Sequence, residues 1–337
     1  MKKILVTGGL GFIGSHTVVE LQNAGFNVVI IDDLSNTTIE VLENITSITG
    51  IQPEFHQIDL RIKKAVQQFF DTTAVDGIIH FAASKAVGES VEKPLDYYEN
   101  NIGSLVYLLQ EMKDRNIDNF IFSSSCTVYG QADELPITEN APIKAAESPY
   151  GNTKQIGEAI IKESCNAYSM NAIALRYFNP IGAHESIKIG ELPIGVPQNL
   201  IPFITQTAAG MRKELSVFGD DYPTSDGTAV RDYIHVVDLA KAHIAALQRL
   251  LANNNTQNFE FFNVGTGTGT TVLEVIKAFE KVSEKPLNYK IVARRAGDIT
   301  AAYADTTLAN SALNWKTEKN LEEALASAWQ WQLQLQQ

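Results

Sequence analysis

The segment Thr7-Gly8-Gly9-Leu10-Gly11-Phe12-Ile13-Gly14 separates a short apolar run, Ile4-Leu5-Val6, from a stretch with helical periodicity that ends near Asn23. Its spacing, G-x-x-G-x-x-G, allows a tight turn, a close approach of the backbone to a pyrophosphate, and close packing of a helix on a strand. A pyrophosphate binds to the free N–H groups at such a helix N-terminus. We therefore predict a strand, a turn and a helix that bind a dinucleotide at Gly8, Gly11 and Gly14.

Short apolar runs continue to alternate with helical periodicity along the chain. Strands are predicted at residues 28–31, 77–81, 120–122 and 172–177, and helices at 98–113 and 151–168. Strands and helices that alternate in this way form βαβ units and a parallel sheet covered on both faces. We predict an α/β fold: a Rossmann-type doubly wound parallel sheet with a smaller C-terminal α/β substrate-binding domain.

The sequence becomes less regular after residue 178. Residues 183–202 are rich in Gly and Pro, residues 219–229 form a polar stretch, and strand signals return at 233–237 and 259–264. We predict a dinucleotide-binding domain over residues 1–178, with a returning segment near 233–265. The substrate-binding domain is predicted over residues 179–337.

The composition limits the possible partners. Hydrophobic residues make up 45% and charged residues 20% of the 337 residues, which argues against disorder. Basic residues number 27 and acidic residues 39, and the net charge of −12 disfavours nucleic acid or an anionic membrane as a partner. Any anionic ligand must therefore meet positive charge locally.

The cysteines and histidines indicate neither a disulfide framework nor a metal site. Cys126 and Cys165 are the only cysteines, and the six histidines include no closely spaced pair typical of metal ligands. The apolar run near the N-terminus is too short for a signal peptide, and no stretch approaches the roughly 18 apolar residues of a membrane helix. We expect a cytoplasmic protein without a bound metal.

An acidic residue indicates which dinucleotide is bound. Asp32 ends the second predicted strand 18 residues after Gly14 (32 − 14), near the spacing of about 20 expected for a ribose-binding carboxylate. A carboxylate at this place accepts hydrogen bonds from the adenosine ribose and repels a 2′-phosphate. We predict NAD rather than NADP as the cofactor.

A serine, a tyrosine and a lysine form a candidate proton-transfer unit. Ser125 follows the strand at 120–122, and Tyr150 and Lys154 stand four residues apart at the start of a helix, so they share one face. A free phenol has a pKa near ~10 and is a poor base, but adjacent positive charge favours the phenolate. A Tyr-x-x-x-Lys pair is often a solvated helix face, and the dinucleotide motif upstream favours the catalytic interpretation.

A second glycine run, Gly265-Thr266-Gly267-Thr268-Gly269, also follows a predicted strand. Its glycines are too closely spaced for a dinucleotide motif. Thr271 and Glu274 fit a capping box, so we interpret this run as a turn that leads into a capped helix.

Five further segments match a known family. They are KAVGES at residues 85–90, FSSSCTVYG at 122–130, RYFNP at 176–180, VRDYIH at 230–235 and RRAGD at 294–298. Together with TGGLGFIGSH at 7–16, they make the sequence resemble the extended short-chain dehydrogenase/reductase family, in particular its branch of nucleotide-sugar 4-epimerases. The resemblance extends from residue 3 to about residue 331.

The resemblance implies an isomerase that interconverts UDP-galactose and UDP-glucose by transient NAD-dependent oxidation at C4, with Tyr150 taking the proton from the 4-hydroxyl. The implied cofactor contacts are Gly8, Gly11, Phe12, Ile13, Gly14, Asp32, Asn36, Asp59, Leu60, Phe81, Ala82, Lys85, Asn100, Ser123, Tyr150, Lys154 and Phe178. The implied substrate contacts are Ser125, Tyr150, Asn179, Asn199, Leu215, Phe218, Arg231, Arg295 and Asp298.

One position is expected to set the substrate range. In this family, the residue before Tyr303 determines whether a 2-acetamido group fits, and here it is the small Ala302. We therefore expect UDP-GlcNAc and UDP-GalNAc to be accepted as well. The resemblance also implies a homodimer formed through the helices predicted at 98–113 and 151–168.

Three alternatives remain. A nucleotide-sugar 4,6-dehydratase needs an acid pair after the serine, and this chain has Cys126-Thr127 there, which counts against that activity. A decarboxylase or a 4-reductase is less well excluded. A non-catalytic NAD-sensing protein of the same fold would not need Ser125, Tyr150 and Lys154 together.

Overall fold

The apolar runs of the sequence form strands at the centre of the fold. A computed structural model describes residues 1–295 and 298–337. Its strands are β1 (Lys3–Thr7), β2 (Asn27–Asp32), β3 (Glu54–Gln57), β4 (Gly77–His80), β5 (Asn119–Ser123), β6 (Asn171–Tyr177), β7 (Asn179–Ile181), β8 (Leu215–Phe218), β9 (Val230–Arg231), β10 (Tyr233–His235), β11 (Phe259–Val264), β12 (Thr270–Thr271), β13 (Tyr289–Val292) and β14 (Ala301–Ala302).

The helices connect these strands and cover the largest sheet. They are α1 (Phe12–Asn23), α2 (Glu40–Thr49), α3 (Lys63–Thr72), α4 (Val87–Glu92), α5 (Pro94–Tyr98), α6 (Ser104–Arg115), α7 (Pro149–Ala167), α8 (Leu200–Ala208), α9 (Val236–Leu251), α10 (Val272–Ser283), α11 (Thr307–Leu313) and α12 (Leu321–Gln334). A π-helical turn spans Glu99–Gly103 and a 3₁₀ turn spans Cys126–Tyr129.

Seven parallel strands form the main sheet, in the order β11-β6-β5-β4-β1-β2-β3. The chain builds outward from β1 through β2 and β3, then returns to the other side of β1 at β4. This reversal opens a crevice at the carboxyl ends of β1 and β4, where open α/β sheets bind their ligands. The predicted Rossmann-type α/β fold is confirmed.

Alternation along each strand supplies two separate cores. Ile4 and Val6 of β1 pack with residues of α1, α2 and α9 on one face of the sheet. Leu5 packs with residues of α3, α6 and α7 on the opposite face. Because both faces are covered, the central strands are apolar at nearly every position, which is why they are visible in the sequence.

The chain after β6 builds smaller sheets and a third core. Residues of α8, α10 and α12 pack with Leu215 of β8 and Tyr233 of β10. β11 returns to the edge of the main sheet beside β6, within the segment predicted to return. The division of the chain at residue 178 stays a prediction.

Two predicted elements differ in detail from the structure. The helix predicted at 98–113 is interrupted by the π-helical turn, whose Asn100 and Asn101 side chains donate to the Ser84 hydroxyl (2.9 Å) and carbonyl (3.0 Å). Such turns often mark functional sites, because the extra residue redirects side chains. The strand predicted at 233–237 ends at His235, which caps α9 by accepting the Val237 N–H.

The described helices include none that combines the length and the apolar character needed to cross a bilayer.

A methyl group at Gly14 should not be tolerated. A Cβ there would lie 2.1 Å from the Gly8 carbonyl oxygen and 2.9 Å from the Gly9 Cα, so the turn would have to open. We expect Gly14→Ala to lower the free energy of unfolding by about 1–3 kcal/mol, as overpacked sites do. Urea denaturation measures this change.

Gly103→Ala is the matched control, because Gly103 is also helical and a Cβ there would meet no atom within 4 Å. It should unfold at the wild-type urea concentration or above. Equal destabilisation by the two variants would contradict the steric argument.

Candidate active site

The glycine turn brings backbone close to backbone at the crevice. Gly8 has φ +67°, and a Cβ there would lie 2.8 Å from the Ala82 nitrogen, at the end of β4. The Gly11 N–H donates to the Gly8 carbonyl (3.1 Å), and α1 then begins with Phe12-Ile13-Gly14-Ser15, which contains no acid. The turn therefore presents the N-terminus of α1 to the crevice, in the arrangement that binds phosphate.

A cavity of about 1020 Å³ occupies the crevice. All but one of the residues implied to contact the cofactor line it, from both sides of β1: Gly8, Gly11, Phe12, Ile13, Gly14, Asp32, Asn36, Asp59, Leu60, Phe81, Ala82, Lys85, Asn100, Ser123, Tyr150 and Lys154. Phe178 is the exception. It is buried in a small apolar cluster with Val128, Tyr129 and Ala302.

Asp32 is held at the end of β2 by two backbone groups. Its Oδ2 accepts the Leu10 N–H (3.1 Å) and its Oδ1 accepts the Leu34 N–H (3.0 Å). Burial raises the pKa of Asp32, and these two hydrogen bonds lower it in part. A carboxylate oxygen has more than one acceptor position, so both oxygens can still accept from ribose hydroxyls.

Tyr150 and Lys154 lie on the inner face of α7, at the cavity wall. The Lys154 ammonium donates to the Ser123 carbonyl (2.7 Å) and lies 5.8 Å from the centre of the Tyr150 ring. The pKa of Lys154 is lowered to about 8, because burial lowers it more than the Glu158 carboxylate raises it. The lysine therefore holds a proton near neutral pH that it can lose in mild alkali.

Burial raises the pKa of Tyr150, and the Ser125 hydroxyl lowers it only in part. The expected lowering, by an adjacent ammonium and an oxidised nicotinamide ring, concerns the site with NAD bound and stays a prediction. Desolvation of a buried phenolate outweighs the help that the surrounding protein groups give. Lowering the pKa to a useful value therefore requires additional positive charge in the crevice.

Ser125 and Cys126 lie between the cavity wall at Tyr150 and the residues around Arg231. The Ser125 hydroxyl caps the 3₁₀ turn by accepting the Thr127 N–H (3.2 Å). Cys126 follows it, and burial raises the pKa of the Cys126 thiol to about 12, with the charge of Arg231 acting in the opposite direction. Cys126 also packs against the apolar cluster that contains Ala302, and Ala302 pairs with Arg231 of β9.

Several of the implied substrate residues cluster around Arg231. Arg231 forms an ion pair with Asp298, and the Arg295 guanidinium lies 3.5 Å from the same carboxylate and 5.7 Å from the centre of the Phe218 ring. Ala302 pairs with Arg231 across β9 and β14. Two residues of the RRAGD segment, 296 and 297, lie outside the described residues.

The remaining substrate residues occupy three different places. Asn199 lines the cavity and donates to the Glu191 carboxylate (2.6 Å). Asn179 lies in β7, where its N–H donates to the Asp232 carbonyl (2.9 Å). Leu215 is buried in the third core, so its side chain is not available to a ligand.

Tyr177 and Glu191 are among the residues of the cavity wall that sequence reasoning missed. Tyr177 shares a hydrogen bond with the Ser123 hydroxyl (2.7 Å), and its place at the end of β6 was the available signal. Glu191 lies 3.6 Å from the Lys85 ammonium, on a loop whose contacts have no signature in the sequence. In the described parts of the chain, His, Cys, Asp and Glu side chains form no group of three that could hold a metal ion.

Comparisons with known proteins agree with this geometry. The family model for GDP-mannose 4,6 dehydratase matches residues 5–328. The UDP-glucose 4-epimerase of Haemophilus influenzae is 48% identical over 332 residues, which cover 98% of this chain and 97% of that protein.

Two crystal structures superpose closely on the chain. The UDP-glucose 4-epimerase of Stenotrophomonas maltophila, with bound NAD and formylated UDP-arabinopyranose, has a TM-score of 0.96 and 45% identity, with 100% of this chain and 99% of that chain covered. The Bifidobacterium longum enzyme, in complex with NAD+ and UDP, has a TM-score of 0.94 and 46% identity, with 98% of each chain covered. The chain belongs to the family that the dehydratase model describes and, within it, to the UDP-glucose 4-epimerases.

Proposed function

We propose that this chain interconverts UDP-galactose and UDP-glucose, with NAD as its resident cofactor and Tyr150 as the group that takes and returns the proton of the sugar 4-hydroxyl. The observation that carries the proposal is the meeting of Tyr150, Lys154 and the end of β5 on the wall of the dinucleotide crevice. A 4,6-dehydratase is not favoured, because Cys126-Thr127 stands where that reaction needs two acids.

The crevice fits NAD in its shape and in its donors. A Cβ at Gly8 or Gly14 would collide with neighbouring backbone, so the turn is built for close approach, and Asp32 stands where a ribose would bind. NAD held by the glycine turn and Asp32 would supply the hydride acceptor and donor for C4 of the sugar, and its positive ring would supply charge that favours the phenolate.

The chain's own residues then divide the proton transfer among them. Tyr150 accepts the proton of the 4-hydroxyl and later returns it. Lys154 keeps its ammonium beside the phenol, because the Ser123 carbonyl holds it there. Ser125, buried at the end of β5, can bridge to the sugar oxygen.

The group around Arg231 is proposed to hold the UDP part of the substrate. The fork of an arginine donates two parallel hydrogen bonds to a phosphate, and Arg231 and Arg295 lie beside one another through Asp298. This local positive charge meets the requirement set by the net charge of −12. Tight binding of UDP leaves the sugar free to turn while the 4-keto intermediate stays bound.

We also propose that the free cysteines Cys126 and Cys165 reflect a reducing, cytoplasmic location.

The first test of this mechanism is Tyr150→Phe. Since the variant lacks the proton acceptor, the rate of conversion of UDP-galactose to UDP-glucose should fall by about 10²–10⁴-fold, the usual contribution of general acid–base catalysis. The protein is assayed without added cofactor, and its NAD content is measured after denaturation. That content should match the wild type.

Tyr168→Phe is the matched control, because Tyr168 lies at the exposed end of the same helix. It should keep full activity. Full activity in Tyr150→Phe would rule out the phenol as the base.

Ala302 is proposed to admit N-acetylated substrates. It is 2% exposed and packs with Phe178 and Ile137, so a large side chain there would fill space in the apolar cluster against which Cys126 packs. We expect Ala302→Tyr to reduce turnover of UDP-GlcNAc by at least roughly 10–200-fold, the discrimination that pocket size gives. Turnover of UDP-galactose by the same variant is the control. Lack of UDP-GlcNAc turnover by the wild type would contradict the proposal.

We propose a homodimer formed through α6 and α7. Val106 of α6 and Ile156 and Ile160 of α7 are only partly buried in the single chain, which leaves apolar surface for a partner. Light scattering on a sizing column should give twice the chain mass of 37.0 kDa. A monomer at micromolar concentration would refute this assembly.

A further inference from the structure

A buried ion pair lies directly behind the proposed catalytic residues. Glu158 of α7 and Arg176 of β6 are 7% and 4% exposed. The Arg176 Nε lies 3.0 Å and 3.2 Å from the two Glu158 oxygens, so the guanidinium holds the carboxylate in a fork. The arginine also lies near two aromatic rings, with its Cζ 4.0 Å from the centre of the Phe261 ring and 4.9 Å from the centre of the Tyr129 ring.

This pair forms hydrogen bonds with residues on either side of Ser125 in the sequence. The Ser124 hydroxyl donates to the Glu158 carboxylate, and the Arg176 Nη1 donates to the Tyr129 hydroxyl (2.9 Å) in the 3₁₀ turn that Ser125 begins. The Tyr129 hydroxyl in turn donates to the Asn263 side chain (2.7 Å) on β11. The end of β5 is therefore fixed to α7, β6 and β11 at once.

Glu158 also lies near Lys154 in the sequence, and its negative charge acts on the Lys154 ammonium. Glu158 stands one turn after Lys154 on the same buried face of α7. Lys154 donates to the Ser123 carbonyl, and Glu158 accepts from the next residue, Ser124. Two consecutive turns of α7 therefore hold Ser123, the last residue of β5, and Ser124, which follows it.

We propose that Glu158 and Arg176 are positioning residues of the epimerase reaction, which hold Ser125 against Tyr150 and keep the Lys154 ammonium charged. This inference rests on the proposed function for the roles of Tyr150 and Lys154. The pair acts through those residues, and the described lining of the cavity includes neither Glu158 nor Arg176.

The charge of Glu158 favours the protonated form of Lys154. The titratable and charged groups around Lys154 are Tyr150 and Glu158 of α7, His80 of β4, Tyr177 and Arg176 of β6, Tyr129 of the 3₁₀ turn, and Glu139, which interacts with Arg176. His80 is neutral across the working range, because burial lowers its pKa to about 3. Glu158 thus supplies the negative charge that raises the pKa of Lys154.

Glu158→Gln removes that charge and leaves Arg176 positive and unpaired. Both changes disfavour the ammonium, so Lys154 should lose its proton at lower pH. We expect the alkaline limb of the kcat–pH profile to move down by about one pH unit. At neutral pH, kcat should fall roughly tenfold to a hundredfold, the effect of small misplacement at a reacting centre. The KM for UDP-galactose and the bound NAD should change little, because Glu158→Gln leaves Arg231, Asp32 and the glycine turn in place.

The chain contains a matched control pair. Arg249 and Glu260 form a similar forked pair, with contacts of 2.7 Å and 2.9 Å between α9 and β11. Glu260→Gln should lower the thermal midpoint as Glu158→Gln does, but keep the wild-type pH profile. Glu158→Asp keeps the charge, so it should restore the position of the alkaline limb even where stability is reduced.

A readout independent of turnover completes the test. The pKa of the Lys154 amine is measured by NMR of ¹³C-labelled lysine in the NAD-loaded enzyme, and it should be lower in Glu158→Gln than in the wild type. A wild-type pKa and a wild-type alkaline limb in Glu158→Gln would overturn the inference and leave a purely structural pair. A wild type that does not convert UDP-galactose would overturn the proposed function, and the NMR titration would still decide the role of Glu158.

Discussion

The site depends on one hydrogen bond, from the Lys154 ammonium to the Ser123 carbonyl. It joins the helix that carries Tyr150 to the strand end that carries Ser125, so it fixes the distance between the two sides of the proton-transfer unit. The acceptor is a carbonyl without net charge, and therefore the ammonium is held without being neutralised. A carboxylate in direct contact would hold the lysine as well, but it would cancel the charge that the phenol needs.

Burial has two opposite effects on Tyr150 and Lys154: it disfavours their ionised forms, and it strengthens the attraction between those forms. The surroundings that raise the pKa of Tyr150 and lower that of Lys154 disfavour both ionised forms. The same low polarity strengthens the interaction between a phenolate and an ammonium once both are formed. A positively charged ring beside these two groups would then have a large effect, because buried surroundings screen a charge less than water does.

The sequence predicts the parts of this structure that rest on local rules. Central strands are buried on both faces, so they appear as apolar runs, and the glycine turn has a fixed spacing because close backbone contacts leave no room for Cβ atoms. Asp32 was found because a strand end is a fixed distance from the turn. The capping box at Thr271 and Glu274 is also confirmed, with both hydrogen bonds present.

Other features depend on contacts between distant segments, and the sequence carries little sign of them. In the π-helical turn, the Asn100 and Asn101 side chains donate hydrogen bonds to Ser84. Helical periodicity in the sequence gives no sign of these contacts. Glu158 looks like an ordinary helix glutamate until Arg176 of β6 is placed opposite it. The burial that raises the pKa of Tyr150 is equally invisible in the sequence, because burial is a property of the whole fold and not of the spacing between two residues.

The two glycine runs show how spacing separates two uses of the same residue. In the first run, glycine lets one stretch of backbone approach another, as at Gly8 beside Ala82 and at Gly14 beside Gly8. In the second, a Cβ at Gly265 would lie 2.4 Å from the Asp232 carboxylate, and the Thr266 and Gly267 N–H groups donate to that carboxylate at 2.8 Å and 3.1 Å. Asp232 also accepts the Ala304 N–H (3.2 Å), two residues beyond Ala302. The second run therefore binds a carboxylate of the chain itself, and in doing so it fixes the strand that carries Ala302 beside Arg231.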